Sequence, residues 1–454
     1  MKSAGIIGAG ITGLTTAFRL MRQGYTVTVW EAGPNAGGAV QSHRSGAWLA
    51  EAGPNSIQDS DSAVGDLVAA LGLEHRLLEA STEAKRRYIV RNRKPVLVPF
   101  SPFSAISTPL FSWKAKFGIL GEPFRSAGTT PDETLASFVE RRLGQEFLDY
   151  AINPMVGGIF AGRPESLSVT HAFPKVKALE TEFGSLIKGA IGRARQRKKS
   201  GGVSHNKRVL SFPDGLSELC DALVKALGSS VHLNNAVTHI RRNNDGRYQV
   251  SAEQPDQTTA SSEASFDLLV FAGTLPALEK IHFDGIRGLP DAYLTSLTYA
   301  PAVSITTGFH REQIGHPLDG FGVLVPEVEQ MNILGTLFTS SIFPKRAPDN
   351  GVTLTTFVGG MRSPELTQLD DDALLKLVLD DLNVLLDVNG KPQFIHITRW
   401  PKAIPQYEIG FERYLQRMTE IESANPGLLF AGNYRTGISM DACIRNSWSR
   451  DQSS

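Results

Sequence analysis

The tightest constraint on this chain is Gly8-Ala9-Gly10-Ile11-Thr12-Gly13, a G-x-G-x-x-G run set between an apolar stretch, Ser3 to Ile7, and a segment from Leu14 to Gln23. In the second segment Leu14, Ala17, Phe18 and Met21 recur at helical spacing, so the order is strand, glycine turn, helix. Gly8 lets the backbone fold sharply, Gly10 leaves room where a Cβ would block a pyrophosphate, and Gly13 lets helix and strand approach closely. The start of the helix then offers unpaired N–H groups to phosphate oxygens. A second strand, Thr26 to Trp30, ends in Glu31, at the distance where an acid accepts hydrogen bonds from a ribose 2′-OH. The acid argues against NADP and leaves NAD and FAD both open.

At 454 residues the chain is long enough for about two or three domains. Forty-six basic and 46 acidic residues give a formal net charge of zero, so no nucleic-acid partner is indicated. The two cysteines, Cys220 and Cys443, are far apart and fit neither CxxC nor a zinc spacing, which suits a reducing compartment. The ten histidines are scattered, without H-E-x-x-H, and no metal is expected. The fingerprint starts at residue 4, leaving no room for a cleaved leader ahead of it. No run of about 18 apolar residues suggests a membrane span. The expected location is therefore cytoplasmic. No G-x-S-x-G or triad-like pattern stands out, so the chemistry must come mainly from a cofactor.

Further glycine turns follow the fingerprint. Glu31-Ala32-Gly33-Pro34-Asn35-Ala36-Gly37-Gly38 comes directly after the second strand, and Ala50-Glu51-Ala52-Gly53-Pro54-Asn55-Ser56 adds another turn. Later strand candidates are Val231 to Leu233, Asn234 to Ile240 and Phe266 to Ala272. Gly427-Leu428-Leu429-Phe430-Ala431-Gly432-Asn433 then leads through Gly437-Ile438-Ser439 into a helix-like run with Asp441, Ala442 and Ile444. A strand, a glycine-bearing loop and a helix start again aim N–H groups at an anion. Residues 290 to 400 alternate apolar and polar residues in short runs, as an antiparallel sheet would. Residues 91 to 210 differ: Pro99 to Phe103, Phe111, Trp113, Phe117 and Phe124 lie near one end, and Lys188, Arg193, Arg195, Arg197, Lys198, Lys199, Lys207 and Arg208 near the other. Such a segment suits a surface lying on an anionic membrane. The plainer reading is a helical cap with a solvated basic loop around Ser200-Gly201-Gly202.

The turns up to Ser56 resemble those of the flavoprotein amine oxidase and protoporphyrinogen oxidase superfamily. Longer blocks are similar to oxygen-dependent protoporphyrinogen oxidases of the plant type: Arg87 to Asn92, Asn153 to Ser168, Gly320 to Pro326, Leu334 to Phe338, Thr355 to Gly360, and Trp400 to Tyr407. The resemblance implies an α/β (α+β) chain with a Rossmann-like FAD-binding domain, an antiparallel-sheet substrate domain and a mostly helical membrane-associating insertion. The expected ranges are 1–85, 211–285 and 400–454 for the first, 286–399 with parts of 86–98 for the second, and 91–210 for the third. It further implies non-covalent FAD held by Gly8, Gly10, Gly13, Glu31, Ala32, Gly37, Gly38, Gly53, Pro54, Asn55, Ser56, Val237, Trp400, Gly432, Gly437, Ile438 and Ser439. Val237 would set its backbone against the adenine; its plain alternative is a core position in a hairpin.

On the substrate side the resemblance implies that Arg87 pairs with a propionate, Leu324 and Leu337 sandwich one pyrrole, Phe357 stacks on another, and the backbone from Gly157 to Gly162 edges the ring. Taken alone, Leu324, Leu337 and Phe357 are types that usually sit in cores, and Arg87 would be a surface residue. The implied reaction converts protoporphyrinogen IX to protoporphyrin IX with dioxygen as acceptor. Peripheral membrane contact, a homodimer and hand-off of product to a chelatase are the implied partnerships. Alternatives remain: coproporphyrinogen III as substrate, an amine or carotenoid-type flavin oxidoreductase, or a non-catalytic flavin-binding membrane-surface protein. No catalytic base stands out. Departures from the superfamily pattern are Ala39-Val40, where many members carry arginine, and Arg163, where plant relatives often carry aspartate. Cys443 does not match a flavin-tethering arrangement.

Overall fold

A computed structural model describes residues 1–59, 62–128, 130, 132–199, 208–253 and 261–448. Ser3–Ile7 is the central strand of a five-stranded parallel sheet, ordered Val231–His232, Thr26–Trp30, Ser3–Ile7, Leu268–Phe271, Leu428–Phe430. Three distant stretches of chain therefore meet in one sheet. Its strands are runs of Val, Ile, Leu and Phe because both faces are covered. The helix Ile11–Arg22 buries Leu14, Ala17 and Phe18, and the helix Met440–Trp448 lies beside it, with the Trp448 ring stacked on Phe18 at 6.1 Å.

The single strand expected over Phe266 to Ala272 is divided at Asp267. That carboxylate accepts the Ser3 N–H at 2.7 Å, so the chain turns where it enters the parallel sheet beside the start of the central strand. Ser261–Phe266 instead joins an antiparallel ladder with Tyr248–Glu253 and Ala236–Arg242, to which His282–Asp284 adds a parallel edge.

A second large sheet has seven strands, in the order Phe394–Pro405, Tyr299–His310, Gly351–Gly359, Ile333–Leu337, Gly322–Leu324, Tyr88–Arg91, Lys94–Leu97. Its neighbours are antiparallel except where Gly322–Leu324 meets Tyr88–Arg91. That strand comes from ahead of the helical segment, with no hairpin to reverse its direction. One face of the sheet, through Val303, Ile305, Phe309, Leu354 and Val358, closes on Leu374, Val378 and Leu382 of the helix Asp371–Leu386. Asp370 caps this helix by accepting the Ala373 N–H at 2.8 Å. The boundary expected at residue 400 falls inside the strand Phe394–Pro405, because twelve continuous residues are needed to run the length of Tyr299–His310.

Between the sheets' strands the chain is helical from Pro102–Ser107 to Leu186–Lys199. The flanks of the expected 91–210 segment are instead strands, Lys94–Leu97 and Arg208–Ser211. Ser101, Ser112 and Thr134 accept N–H bonds at helix starts, which places the breaks between helices. The Ser200-Gly201-Gly202 loop and Lys207 lie outside the described residues, as do the side chains of Arg197, Lys198 and Lys199. Among the described residues no helix is long and apolar enough to cross a membrane.

Candidate functional site

The glycine turns gather at the carboxyl ends of the parallel strands, where open α/β sheets bind ligands. Gly8 has φ +102°, and a Cβ there would lie 3.0 Å from the Ala272 carbonyl carbon and the Gly273 nitrogen. A Cβ on Gly13 would stand 2.0 Å from the Gly8 oxygen. Gly10 is different: its φ is −69° and nothing lies within 4 Å of its missing Cβ. No protein contact demands glycine there, so the empty side of the turn fits the close approach of a phosphate group. The second glycine pair docks on the first. Gly37 donates its N–H to Ala9 at 2.7 Å, and a Cβ on Gly38 would sit 3.2 Å from the Gly10 Cα.

The Glu31 carboxylate accepts the Ala9 N–H and the Gly33 N–H, each at 2.9 Å. It ties both turns together at the end of its strand, next to the exposed Ala32. The third turn is as close-packed: a Cβ on Gly53 would be 2.3 Å from the Ala39 oxygen. Half-buried Pro54, Asn55 and Ser56 follow, and the Asn55 side-chain oxygen is buried with no hydrogen-bond partner among the described residues. An orphaned acceptor beside open glycine turns fits a polar ligand such as a dinucleotide. Val237 has its side chain in the core with Ile240 and Tyr248 and pairs with Ala252.

At the other end of the sheet, the loop from Gly432 to Ser439 leaves the strand Leu428–Phe430. A Cβ on Gly437, at φ +131°, would meet Ala442 at 2.9 Å. Ile438 is half-buried, and exposed Ser439 donates to Asp441 at 2.6 Å at the start of the helix Met440–Trp448.

Leu324, Leu337 and Phe357 come together on the sheet face opposite the helix Asp371–Leu386. Gly335 pairs with Leu324 on one side and Phe357 on the other, so these residues share a face, and Leu337 follows two positions on. In Gly322–Leu324 and Ile333–Leu337 all other residues are buried, while Leu324 and Leu337 are half-buried. Phe357 breaks an otherwise buried run in the same way. Three partly uncovered apolar side chains on buried strands mark the wall of a space. A bulge at Leu334 turns that residue onto the same side, where it clusters with Ala161 and Ala300 beneath Phe357.

The helix Asn153–Phe160 lies on this wall. A Cβ on Gly158 would come 2.7 Å from Leu324, and one on Gly157 3.8 Å from Leu334. Gly162 is buried, and a Cβ there would stand 2.4 Å from the Gln406 oxygen. Packing against Gln406 thus accounts for glycine at 162, and Gly158 is the glycine that faces Leu324. Trp400 lies on the same sheet face, opposite Ala302, and its indole N–H donates to the Ala52 oxygen at 2.8 Å. The apolar wall and the Gly53 turn therefore border one region.

Arg87 is exposed, with its guanidinium 4.9 Å from the Phe321 ring centre. Among the described residues it makes no ion pair. Two arginines near it in sequence are engaged, Arg86 with Asp319 and Arg91 with Glu146 at 2.7 Å, whereas Arg93 offers only its backbone N–H to Glu329. Arg163 pairs with Glu327 at 2.9 Å, and Asn153 also bonds to Glu327. Phe321 and Leu337 pack on the same small cluster of Ala84, Ile342 and Phe343, which puts Arg87 at the rim of the wall.

Three residues of the region escape the sequence reading. Arg346 and Glu51 form a buried pair at 2.8 Å beneath the Gly53 turn, and Glu51 also accepts the Leu216 N–H at 3.0 Å. Burial pushes the Glu51 carboxyl up despite the Arg346 charge. Tyr407 is buried, donates its hydroxyl to the Asn433 carbonyl and accepts the Gly437 N–H at 3.2 Å. It therefore braces the Gly432 to Ser439 loop. Glu51 and Arg346 are almost 300 residues apart in the chain, and no periodicity links them.

The sequence matches the family described as flavin containing amine oxidoreductase over residues 11–449. It is 33% identical to protoporphyrinogen oxidase 2, chloroplastic/mitochondrial, of Arabidopsis thaliana, over 98% of this chain and 92% of that protein. It is 26% identical to coproporphyrinogen III oxidase of Bacillus subtilis (strain 168), over 98% and 96%. A crystal structure from Exiguobacterium sp. 255-15, named for protoporphyrinogen oxidase, superposes with a TM-score of 0.81 at 23% identity, covering 99% of this chain and 97% of that one.

Proposed function

From the premise that this chain belongs to the flavin containing amine oxidoreductase family, we propose that it holds FAD non-covalently across its glycine turns and oxidises protoporphyrinogen IX to protoporphyrin IX. The open side of Gly10 and the orphaned Asn55 oxygen support FAD at the turns. Non-covalent binding is supported by Cys443, whose thiol is buried 3.8 Å from the Gly437 oxygen and pushed up to about 11 by burial; a thiol in that state is a poor nucleophile. A bound flavin supplies a two-electron acceptor that dioxygen regenerates with release of hydrogen peroxide, so three rounds remove the six hydrogens.

The chain's own residues bind and orient. Leu324, Leu337 and Phe357 offer aliphatic and aromatic surface to a flat macrocycle, and Arg87 offers a permanently charged fork to a propionate at its edge. The observation that carries the substrate choice is that Arg87, at the rim of the wall, has no carboxylate partner among the described residues. Arg86, Arg91 and Arg163 are each neutralised by a carboxylate, which suits a substrate with two propionates better than coproporphyrinogen with four. Membrane contact is supported by the exposed Phe100, Phe103, Trp113, Phe117, Leu120 and Phe124 on one segment, with Lys116 beside Trp113 and Lys188 beside Phe124.

The test is aerobic turnover of FAD-loaded protein on protoporphyrinogen IX and coproporphyrinogen III in parallel, following porphyrin fluorescence and hydrogen peroxide. Preference for the first is expected, and preference for the second overturns the substrate assignment. Arg87→Ala should raise KM for the dicarboxylate about 10- to 100-fold, the worth of a charge-assisted hydrogen bond.

A further inference from the structure

Resting on the reading of Arg87 as the carboxylate anchor, we infer that Asp319-Gly320-Phe321 is the fixture that aims it, with Asp319 as the positioning residue. One carboxylate grips the residues on either side of Arg87: Asp319 accepts from the Arg86 guanidinium through Oδ2 and from the Tyr88 hydroxyl through Oδ1, the latter at 2.6 Å. Side chains alternate along an extended chain. With Arg86 and Tyr88 held to one side by the same group, Arg87 must project to the other. Its backbone is pinned as well, because the Phe321 N–H donates to the Arg86 carbonyl at 2.7 Å and the Val98 N–H to the Arg87 carbonyl at 2.8 Å.

The three fixture residues divide the task. Asp319 takes the flanking side chains, and Phe321 lays its ring under the Arg87 guanidinium at 4.9 Å. Gly320 lets the loop lie against the strand: a Cβ there would stand 2.8 Å from both the Arg86 oxygen and the Tyr88 ring. The Tyr88 hydroxyl and Arg86 hold the Asp319 carboxyl below the usual carboxylate range, so at neutral pH it stays an acceptor. Asp319 itself meets no substrate; it acts through Arg87.

The experiment compares protoporphyrinogen IX with its dimethyl ester as substrates, and protoporphyrin IX with its dimethyl ester as ligands in a fluorescence titration, for FAD-loaded wild type, Arg87→Ala, Asp319→Asn, Gly320→Ala and the double variant Arg87→Ala/Asp319→Asn. Wild type should prefer the free acid in KM and Kd. In Asp319→Asn that preference should shrink about tenfold with a smaller change in kcat, and Gly320→Ala should move the same way, because both loosen a charge-assisted contact. The double variant should discriminate no less than Arg87→Ala alone, as expected when two residues act through one contact. Asp319→Glu should restore part of the preference. Undiminished preference in Asp319→Asn, or equal losses for acid and ester, overturns the inference while leaving Arg87 as anchor. Absence of any acid preference in wild type overturns the anchor reading, and the fixture with it.

Discussion

The helical segment from Pro102 to Lys199 and the seven-stranded sheet keep their polarity in opposite places. The sheet buries Val303, Ile305, Phe309 and Leu354 against a helix and leaves Leu324, Leu337 and Phe357 half-uncovered at a wall on its other face. The helical segment exposes Phe103 at 82% and Phe124 at 88%, while its interior holds ions. Arg142 and Glu122 are fully buried 2.8 Å apart. Glu180 takes Arg141 at 2.8 Å and Lys177 at 2.9 Å, and Lys177 also reaches Glu133. Apolar area gains nothing while it stays in water, and a buried ion network fixes geometry more than it adds net stability. The sheet is thus built for its own stability, and the helical segment for presenting an outer face.

The largest effect expected from testing this contrast is at Arg142. Arg142→Ala removes the cation paired with buried Glu122 and should cost about 3–5 kcal/mol, read by thermal unfolding, with hydrogen exchange rising in the helices before the parallel sheet. A loss under about 1 kcal/mol would mean that the network does not hold the segment together. Acid should do the same reversibly. Burial raises the Glu122 carboxyl, but bonds from Ser185, Leu186, Ile187 and Arg142 outweigh it and hold it below its ordinary value; Glu180 is likewise lowered. Their stabilisation is complete above the unfolded carboxylate value of about 4.3 and is lost as pH falls through the lowered folded values. Hydrogen exchange on descending pH should therefore release these helices first.

The glycine turns give a smaller and sharper test. Gly13→Ala, with its Cβ 2.0 Å from the Gly8 oxygen, should destabilise by about 1–3 kcal/mol. Gly10→Ala should leave unfolding within about 0.5 kcal/mol yet weaken flavin binding at least about tenfold, measured by flavin retention and fluorescence. Equal stability losses in the two variants would remove the argument for a ligand at Gly10. Least of all, Phe103→Ser, Phe117→Ser and Phe124→Ser should each shift unfolding by no more than about 0.5 kcal/mol, while together they abolish co-sedimentation with anionic vesicles. A large stability loss would make these aromatics part of a core and erase the contrast.

The sequence by itself determined what depends on neighbours in the chain. Gly8, Gly10 and Gly13 carry the turn because backbone shape is a local property, and Ser3 to Trp30 carries its strands and helix in its apolar spacing. Alternation announced strands of the second sheet between residues 290 and 400, though not Tyr88–Arg91 or Lys94–Leu97, and Glu31 sits where its strand must end. Tertiary structure alone decided what depends on distant partners. It split Phe266 to Ala272 at Asp267 because Ser3 lies across from that carboxylate. It gave Gly162 to Gln406 and Gly158 to Leu324, and it paired Glu51 with Arg346. It also left Arg87 without an acid while giving one to each of Arg86, Arg91 and Arg163. A charge's partner and a side chain's cover are set by chain segments tens to hundreds of residues away, and no local spacing encodes them.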